Sequence, residues 1–375
     1  MPTFALSDLH LDAEADGRLF DDDRQGKAVA KVCGLLAEEA NAELVLLGDT
    51  FDFTAMLPPA RGLEDFARKV GFAIDPPPRR STSQMCAQIA RDNPVAMRAL
   101  RQLSERIPIF IVPGNHDRHL GEPGAAEALA EIGLGKVRLA SFVERNLDGK
   151  TVVMIHGNEF DAGNAKPGGP GEAMTACIHH AVLPFLREHR ARRHVRMNPD
   201  RLVALRPEEA VVTLLQRWLE PEVFKRFFNA FLDLLAENEY LPHALAFLAR
   251  LVPTDQVRAK AAQQDRLWER AGDTAIKCLR GERELPHGAP RPDVLVLGHT
   301  HVLDWAAEQG DRLYVNLGTW TERASDALSP FDMTLPLLEM RMHDRSPLVV
   351  LRDIDERGGE LQRYSPSSSS AHSVF

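Results

Sequence analysis

Six short apolar runs punctuate the chain, each closed by glycine or a polar residue: TFALSD, ELVLLGD, IPIFIVPGN, TVVMIHG, DVLVLGH and LYVNLG. Each has the length of a buried strand and is rich in Val, Ile and Leu. Between several of them the apolar positions recur at helical spacing. Gln25 to Ala40 places Val29, Val32, Cys33 and Leu36 on one face, and a second helix is expected from Val95 to Glu105. Strands alternating with helices predict an α/β layered fold. Toward the C-terminus, LPLLEMRMHD, PLVVLRDID and GELQRY read as antiparallel strands, with turns at RSP and ERGG.

Two stretches break the alternation. The first, about Thr54 to Asn93, contains LPPARG and DPPPRR and reads as a loop with short helices. The second runs from about Asn158 to Pro292 and opens with GNEFDAGNAKPGGPG, a glycine- and proline-rich hinge or loop. Helical periodicity follows, most clearly at Val223, Phe224, Phe227, Phe228, Phe231, Leu234 and Leu235. The expected organisation is a core of residues 1–157 and 293–364, a helical cap over 158–292, and a low-complexity, disordered tail over 365–375. The phenylalanine stripe reads as helix-packing core; its alternatives are an acyl-chain groove or a dimer face.

Composition narrows this only slightly. The chain has 375 residues, 44% of them apolar and 26% charged, as in a globular protein. A net charge of −9 makes bulk attraction to polyanions unfavourable, so any phosphate or nucleic-acid site must be a local basic patch. One candidate is LREHRARRHVRMNPDRLVALR inside the expected cap, with Arg187, Arg190 and Arg193 as candidate substrate contacts. Its commoner meaning is a solvated face. Four dispersed cysteines without a CxxC predict reduced thiols in a cytoplasmic protein. MPTFALSD lacks the basic region of a secretory signal, and no apolar run could span a bilayer, so membrane contact would be peripheral.

The chemistry lies where the apolar runs end. SDLH offers Asp8 and His10; GDTFD offers Asp49 and Asp52; GNHD offers Asn115, His116 and Asp117. HGN offers His156, and GHTH offers His299 and His301. All are hard oxygen or imidazole donors just past the C-terminal end of an expected strand, the edge at which open α/β sheets bind ligands. In an extended segment, Asp8 with His10 and His299 with His301 would each point to one side. Glycines before Asp49, Asn115 and His299 suit sharp turns. A mixed carboxylate and imidazole set favours Mn, Fe, Zn or Co over Mg or Ca. There are too many donors for one ion; they suit two, with a carboxylate bridging. Singly, each motif has a structural reading: Asp8 and Asp49 as caps, Asn115 as a turn residue, His156 as a core histidine, and the last two histidines as a surface pair. His119, His179, His180, His189 and His194 receive no role.

The ordered set D-x-H, G-D-x-x-D, G-N-H-D, H-G, G-H-x-H resembles the calcineurin-like metallophosphoesterases. The resemblance spans residues 8 to 301 and implies an αββα sandwich of two mixed β-sheets with a dinuclear site at the strand ends. It implies one divalent ion, Mn²⁺ or alternatively Fe or Zn, on Asp8, His10, Asp49 and His301. A second would sit on Asp49, Asn115, His156 and His299, so that Asp49 bridges. His116 would lie beside the substrate as acid or charge stabiliser, Asp117 would orient it, and Asp52 would support the ligands from behind. The implied activity is hydrolysis of a phosphomonoester, phosphodiester or pyrophosphate by metal-activated hydroxide.

SDLHL, the insertion after HGN and YVNLGTW look most like the branch containing UDP-2,3-diacylglucosamine pyrophosphatases, implying a lipid- or nucleotide-sugar-linked phosphate. That branch usually carries Arg at the position of His116 and Asp at that of Asn158, and its insertion is shorter. The expectation is therefore a relative with a changed substrate. The alternatives are a phosphodiesterase or nuclease acting on nucleic acid, and a non-catalytic metal-binding scaffold.

Overall fold

The computed structural model describes the chain apart from residues 14–16, 59, 74–77, 162, 194–199, 205–214, 239–271, 309, 323–332, 344–345, 355–359 and 365–375. The expected tail and much of the expected cap therefore lie outside the described residues.

Among the described residues, twelve strands form two sheets. They are β1 (Thr3–Leu6), β2 (Glu43–Leu47), β3 (Ile109–Val112), β4 (Arg138–Leu139), β5 (Val143–Leu147), β6 (Lys150–Met154), β7 (Val294–Leu297), β8 (Leu303–Glu308), β9 (Arg312–Leu317), β10 (Pro336–His343), β11 (Ser346–Asp353) and β12 (Glu360–Tyr364). The larger sheet has the order β12-β11-β10-β1-β2-β3-β4, parallel from β1 to β4 and antiparallel from β1 through β10 to β12. The smaller has the order β5-β6-β7-β9-β8. Side-chain alternation explains the apolar runs. Val45 and Leu47 of β2 meet Val152, Met154, Val294 and Val296 between the sheets, whereas Leu44 and Leu46 face the outer helices. Val153 and Leu295 turn to the opposite outer layer. With both faces buried, no position in these strands can be polar at low cost.

On the larger sheet lie α1 (Lys27–Glu38), α3 (Thr82–Asp92), α4 (Pro94–Ser104) and α5 (Ala125–Glu131). Ser81 and Gln84 close a capping box at the start of α3, and Pro94 opens α4, where its missing N–H costs nothing. α3 buries Met85, Cys86 and Ile89 in the main core, so this part of the first interruption belongs to the sandwich. Helical residues 272–280 cover the smaller sheet through Ala275, Cys278 and Leu279. The result is an αββα sandwich of two mixed sheets, as expected.

The remaining described helices form a separate apolar cluster. They are α2 (Leu63–Val70), α6 (Pro170–Cys177), α7 (Leu183–Arg193), α8 (Asp200–Val203) and α9 (Pro221–Glu237). α2 comes from the first interruption and the others from the second, so both insertions build one helical body. Phe66 meets Phe227 edge-on with ring centroids 5.5 Å apart, and Phe185 lies 4.7 Å from Phe227. Phe227 and Phe231 are 1% and 0% exposed, which makes the phenylalanine stripe packing core and leaves these rings no surface for an acyl chain. Burying each contributes about 1.5–3 kcal/mol. All four cysteines are buried free thiols; burial pushes Cys33, Cys86 and Cys177 up to about 12.

Candidate metal centre

The strand ends converge. After β1 and β2 the two chains remain zipped together, with His10 N bonded to Asp49 O at 2.8 Å and Leu11 N to Thr50 O at 3.0 Å. The turn after β7 is held by Asn316 of the YVNLGTW segment, whose side-chain amide donates to Gly298 O at 2.8 Å. Trp320 N and Thr319 Oγ1 both donate to Asp8 O at 3.1 Å.

The backbone at the site is unusual. Asp8, His10, Asp49, His299 and His301 have φ of 53°, 51°, 46°, 70° and 57°. They are five of the nine non-glycine residues with positive φ among those described. The expected extended D-x-H and H-x-H segments are thus corrected: left-handed turns, not strand alternation, aim these side chains. Each such residue costs about 1–3 kcal/mol and persists only where its surroundings enforce it. The glycines make that crowding feasible. A Cβ on Gly48 would strike the His156 ring, one on Gly114 the Asp49 carboxylate, and one on Gly298 both Ser7 and Asp8.

The donors form two groups that share Asp49. In the first, His10 Nε2 and His301 Nε2 are 3.0 Å apart, and Asp8 Oδ1 lies 3.3 Å from His301 and 3.9 Å from His10. In the second, His156 Nε2 lies 3.1 Å from Asp49 Oδ2, with His299 completing the cluster. Asp49 Oδ2 is also 3.9 Å from His10 Nε2, so one oxygen faces both groups. Two donors each about 2.1 Å from a common ion stand roughly 3.0–3.4 Å apart at right or tetrahedral angles; the pairs His10–His301, His156–Asp49 and His301–Asp8 have that spacing, and the two 3.9 Å pairs are wider.

The far side of each ligand is already engaged. His10 Nδ1 donates to Asp52 Oδ2 at 3.0 Å and His156 Nδ1 to Leu47 O at 3.0 Å, which puts each lone pair on Nε2. His299 Nε2 lies 3.0 Å from Asp161 Oδ2, which puts its lone pair on Nδ1. Asp8 Oδ2 accepts from His299 N at 3.0 Å and contacts the Ser7 hydroxyl, and Asp49 Oδ1 accepts from His116 N at 2.8 Å. What remains is Asp8 Oδ1, His156 Nε2 and Asn115 Oδ1, buried atoms without a well-formed hydrogen bond, the first two facing only other donors of the centre, His301 at 3.3 Å and Asp49 at 3.1 Å. Such atoms are costly unless something binds them. These residues therefore fit two cations.

The charge balance agrees. Burial opposes ionisation of Asp8, Asp49 and Asp52, yet nearby histidines hold all three below the usual carboxylate range. Burial opposes charging of His156, but Asp49 and Asp8 push it up to about 10. A proton thus stands where a metal ion would balance the carboxylates.

His116 borders this centre, its ring centroid 4.7 Å from that of His10. Its Nδ1 is 3.0 Å from Asp52 Oδ2 and 2.9 Å from Thr54 Oγ1. Asp52 and Thr54 thus stand against the ring where Asp117 was expected. Asp117 accepts backbone N–H groups of Gly114, Thr50 and Phe51 at 2.6, 2.8 and 3.1 Å, and so buckles the second and third ligand loops together. Burial and Asp49 push Asp117 up to about 7, with those N–H groups opposing the rise. Asp52 does double duty, holding His10 and His116.

A cleft of about 570 Å³ adjoins Asn115 and His116, between residues 54–61 and the start of α6. Its cations are Arg61 and Arg118, the latter paired with Glu172. Arg187 is exposed on α7 and is not among the residues lining this cleft; the side chains of Arg190 and Arg193 lie outside the described residues. Asp161, Thr54 and Ser7 were not anticipated. Asp161 carries a signal only in hindsight, as a carboxylate in the glycine-rich loop following a ligand histidine. The hydrogen bonds from His299 and Asn164 outweigh its burial and hold it down to about 2.

Residues 1–168 match the family model for calcineurin-like phosphoesterases. That segment carries Asp8, His10, Asp49, His116 and His156 of the donor clusters, and His299 and His301 lie beyond the match. The match covers less than half of the chain, and it is to calcineurin-like phosphoesterases that this segment is similar. Among solved structures, the chain is similar to a dimetal phosphatase from Danio rerio (12% identity, TM-score 0.36, covering 97% of this chain and 98% of that one). It is also similar to a predicted phosphoesterase from Streptococcus pneumoniae (12%, 0.32, 97% of each chain). A third is Zn²⁺-complexed Vps29 from Entamoeba histolytica (11%, 0.32, 97% and 99%). A search of curated proteins gave no match. No helix among the described residues is long and apolar enough to cross a membrane.

Proposed function

We propose that the chain hydrolyses a phosphate ester at a dinuclear metal centre, with a polar, nucleotide- or sugar-like group leaving through the cleft beside His116. The observation that carries this reading is the pair of donor groups meeting at Asp49, with His116 alongside. Asp8, His10, Asp49 and His301 would hold one ion, and Asp49, Asn115, His156 and His299 the other. When bound, the two ions would acidify water and neutralise phosphoryl oxygens. The chain supplies the rest. Asp49 is fixed by the His116 amide and keeps its other oxygen between the groups. Asp52 stabilises a protonated His116 ring, which is then able to give its proton to the departing oxygen, a role worth about 10²–10⁴ in rate.

The substrate class rests on the cleft. Thr54, Asn115, Arg118, Glu172, Thr175 and Asn238 give it polar groups for a nucleotide or sugar, and Leu57, Pro58, Ala60, Ala173 and Ala176 give it apolar wall beside them, so the nucleotide-sugar form is put first and the lipid-linked form is kept in the test. The test is turnover of p-nitrophenyl phosphate and bis-p-nitrophenyl phosphate with Mn²⁺, followed by a screen of nucleotide sugars, lipid phosphates, cyclic nucleotides and single-stranded DNA. Nucleotide sugars are expected to lead, and Asp49→Ala to abolish turnover. A chain that binds no Mn²⁺ and hydrolyses neither ester would be a scaffold and would end this reading.

A further inference from the structure

We propose that the loop opening the second insertion is part of the metal centre: Asp161 fixes His299 as an Nδ1 ligand, so ion binding there and ordering of the loop are one linked equilibrium. This inference rests on the dinuclear reading above.

The backbone of His299 is held by its N–H to Asp8 at 3.0 Å, and its ring meets that of His156 edge-on with centroids 5.3 Å apart. Its Nε2 lies 3.0 Å from Asp161 Oδ2. A neutral imidazole has one N–H, so donating from Nε2 puts the lone pair on Nδ1, and a carboxylate partner makes that lone pair more basic. Asp161 is itself clamped. Its Oδ1 accepts from Gly163 N at 2.8 Å, and its Oδ2 accepts from the Asn164 side chain at 2.7 Å. Its carbonyl accepts from Asn164 N at 3.0 Å and Ala165 N at 2.8 Å.

The clamp continues into both bodies. Asn158 donates to Asn164 O at 3.1 Å, and Gly171 N to Gly163 O at 3.0 Å, one residue into α6 of the cap. A Cβ on Gly171 would strike the Asn164 amide, so the approach is close. Glu159 ties the same loop to His287 at 2.7 Å. An unbroken set of contacts thus runs from α6 to the ring of His299. Linkage requires reciprocity: a loop that tightens ion binding is itself ordered by the ion, by the same factor.

The experiment uses the full chain. Mn²⁺ binding is measured by calorimetry on the wild type, Asp161→Ala and Asp161→Asn, and hydrogen exchange of the loop around Asp161 is followed with and without Mn²⁺. The wild type should bind two ions and gain protection in this loop. Asp161→Ala should keep one site, lose about 10- to 100-fold affinity at the other, and lose the gain in protection. Asp161→Asn keeps the shape and should fall between; it carries the test if the alanine variant does not fold. Wild-type affinities at both sites, or an unchanged gain in protection, would overturn this inference alone. Fewer than two ions in the wild type would overturn the dinuclear reading with it.

Discussion

Replacing Asp52 by Asn tests its hold on His116. The substitution keeps size and one acceptor but removes the charge 3.0 Å from His116 Nδ1 and 3.0 Å from His10 Nδ1. A hydrogen bond to a charged group contributes about 1.5–3 kcal/mol net, which at 1.36 kcal/mol per decade is roughly 10- to 150-fold. The loss should fall on the step in which His116 gives up its proton. Alkyl phosphates, which leave as basic alkoxides, should lose about that factor in kcat. p-Nitrophenyl phosphate, whose leaving group needs no proton, should lose less than about tenfold. Because Asp52 also holds His10, both assays are run at saturating Mn²⁺ with bound metal measured. An equal loss on both leaving groups at full metal content would refute the proposed proton transfer. No loss on either would refute the role of Asp52.

Thr54→Val deletes only the 2.9 Å contact to His116 and should slow alkyl phosphates about 2- to 10-fold, with Thr54→Ser restoring them. Gly298→Ala drives a Cβ into Ser7 and Asp8 and should lower thermal stability by about 1–3 kcal/mol; an unchanged melting temperature would contradict the described crowding. The ion-free site keeps a proton on His156, whose pKa Asp49 and Asp8 raise to about 10 against the effect of burial. Ion binding must displace that proton, so Mn²⁺ affinity should rise about tenfold per pH unit across neutral pH, and binding enthalpy should depend on the ionisation heat of the buffer. A buffer-independent enthalpy would refute this.

How much could be read from sequence follows from what makes a pattern. β1, β2, β3, β6, β7 and β9 are buried over most of their length, so each carries an apolar run, and the donors stand just past the ends of β1, β2, β3, β6 and β7. β5, VERNL, and β8, LDWAAE, are only partly buried; their mixed residues give no run and no expected strand. The residue types of the centre were legible, but the directions of their side chains were not. Asp52 and Asp117 both lie in irregular turns, where no period of 2 or 3.6 sets direction; Asp52 reaches His10 and His116, and Asp117 reaches backbone N–H groups. Asp161 is one polar residue in a glycine-rich loop, and only the fold brings it to His299. Likewise α2 and α9 join across the body of the chain through Phe66 and Phe227, a pairing that no local periodicity encodes.

Anomalous diffraction from crystals grown with Mn²⁺ tests the central claim most directly. Two peaks about 3.5–4 Å apart should flank Asp49, one among Asp8, His10 and His301 and the other among Asn115, His156 and His299. A single peak, or peaks away from Asp49 at saturating Mn²⁺, would contradict it.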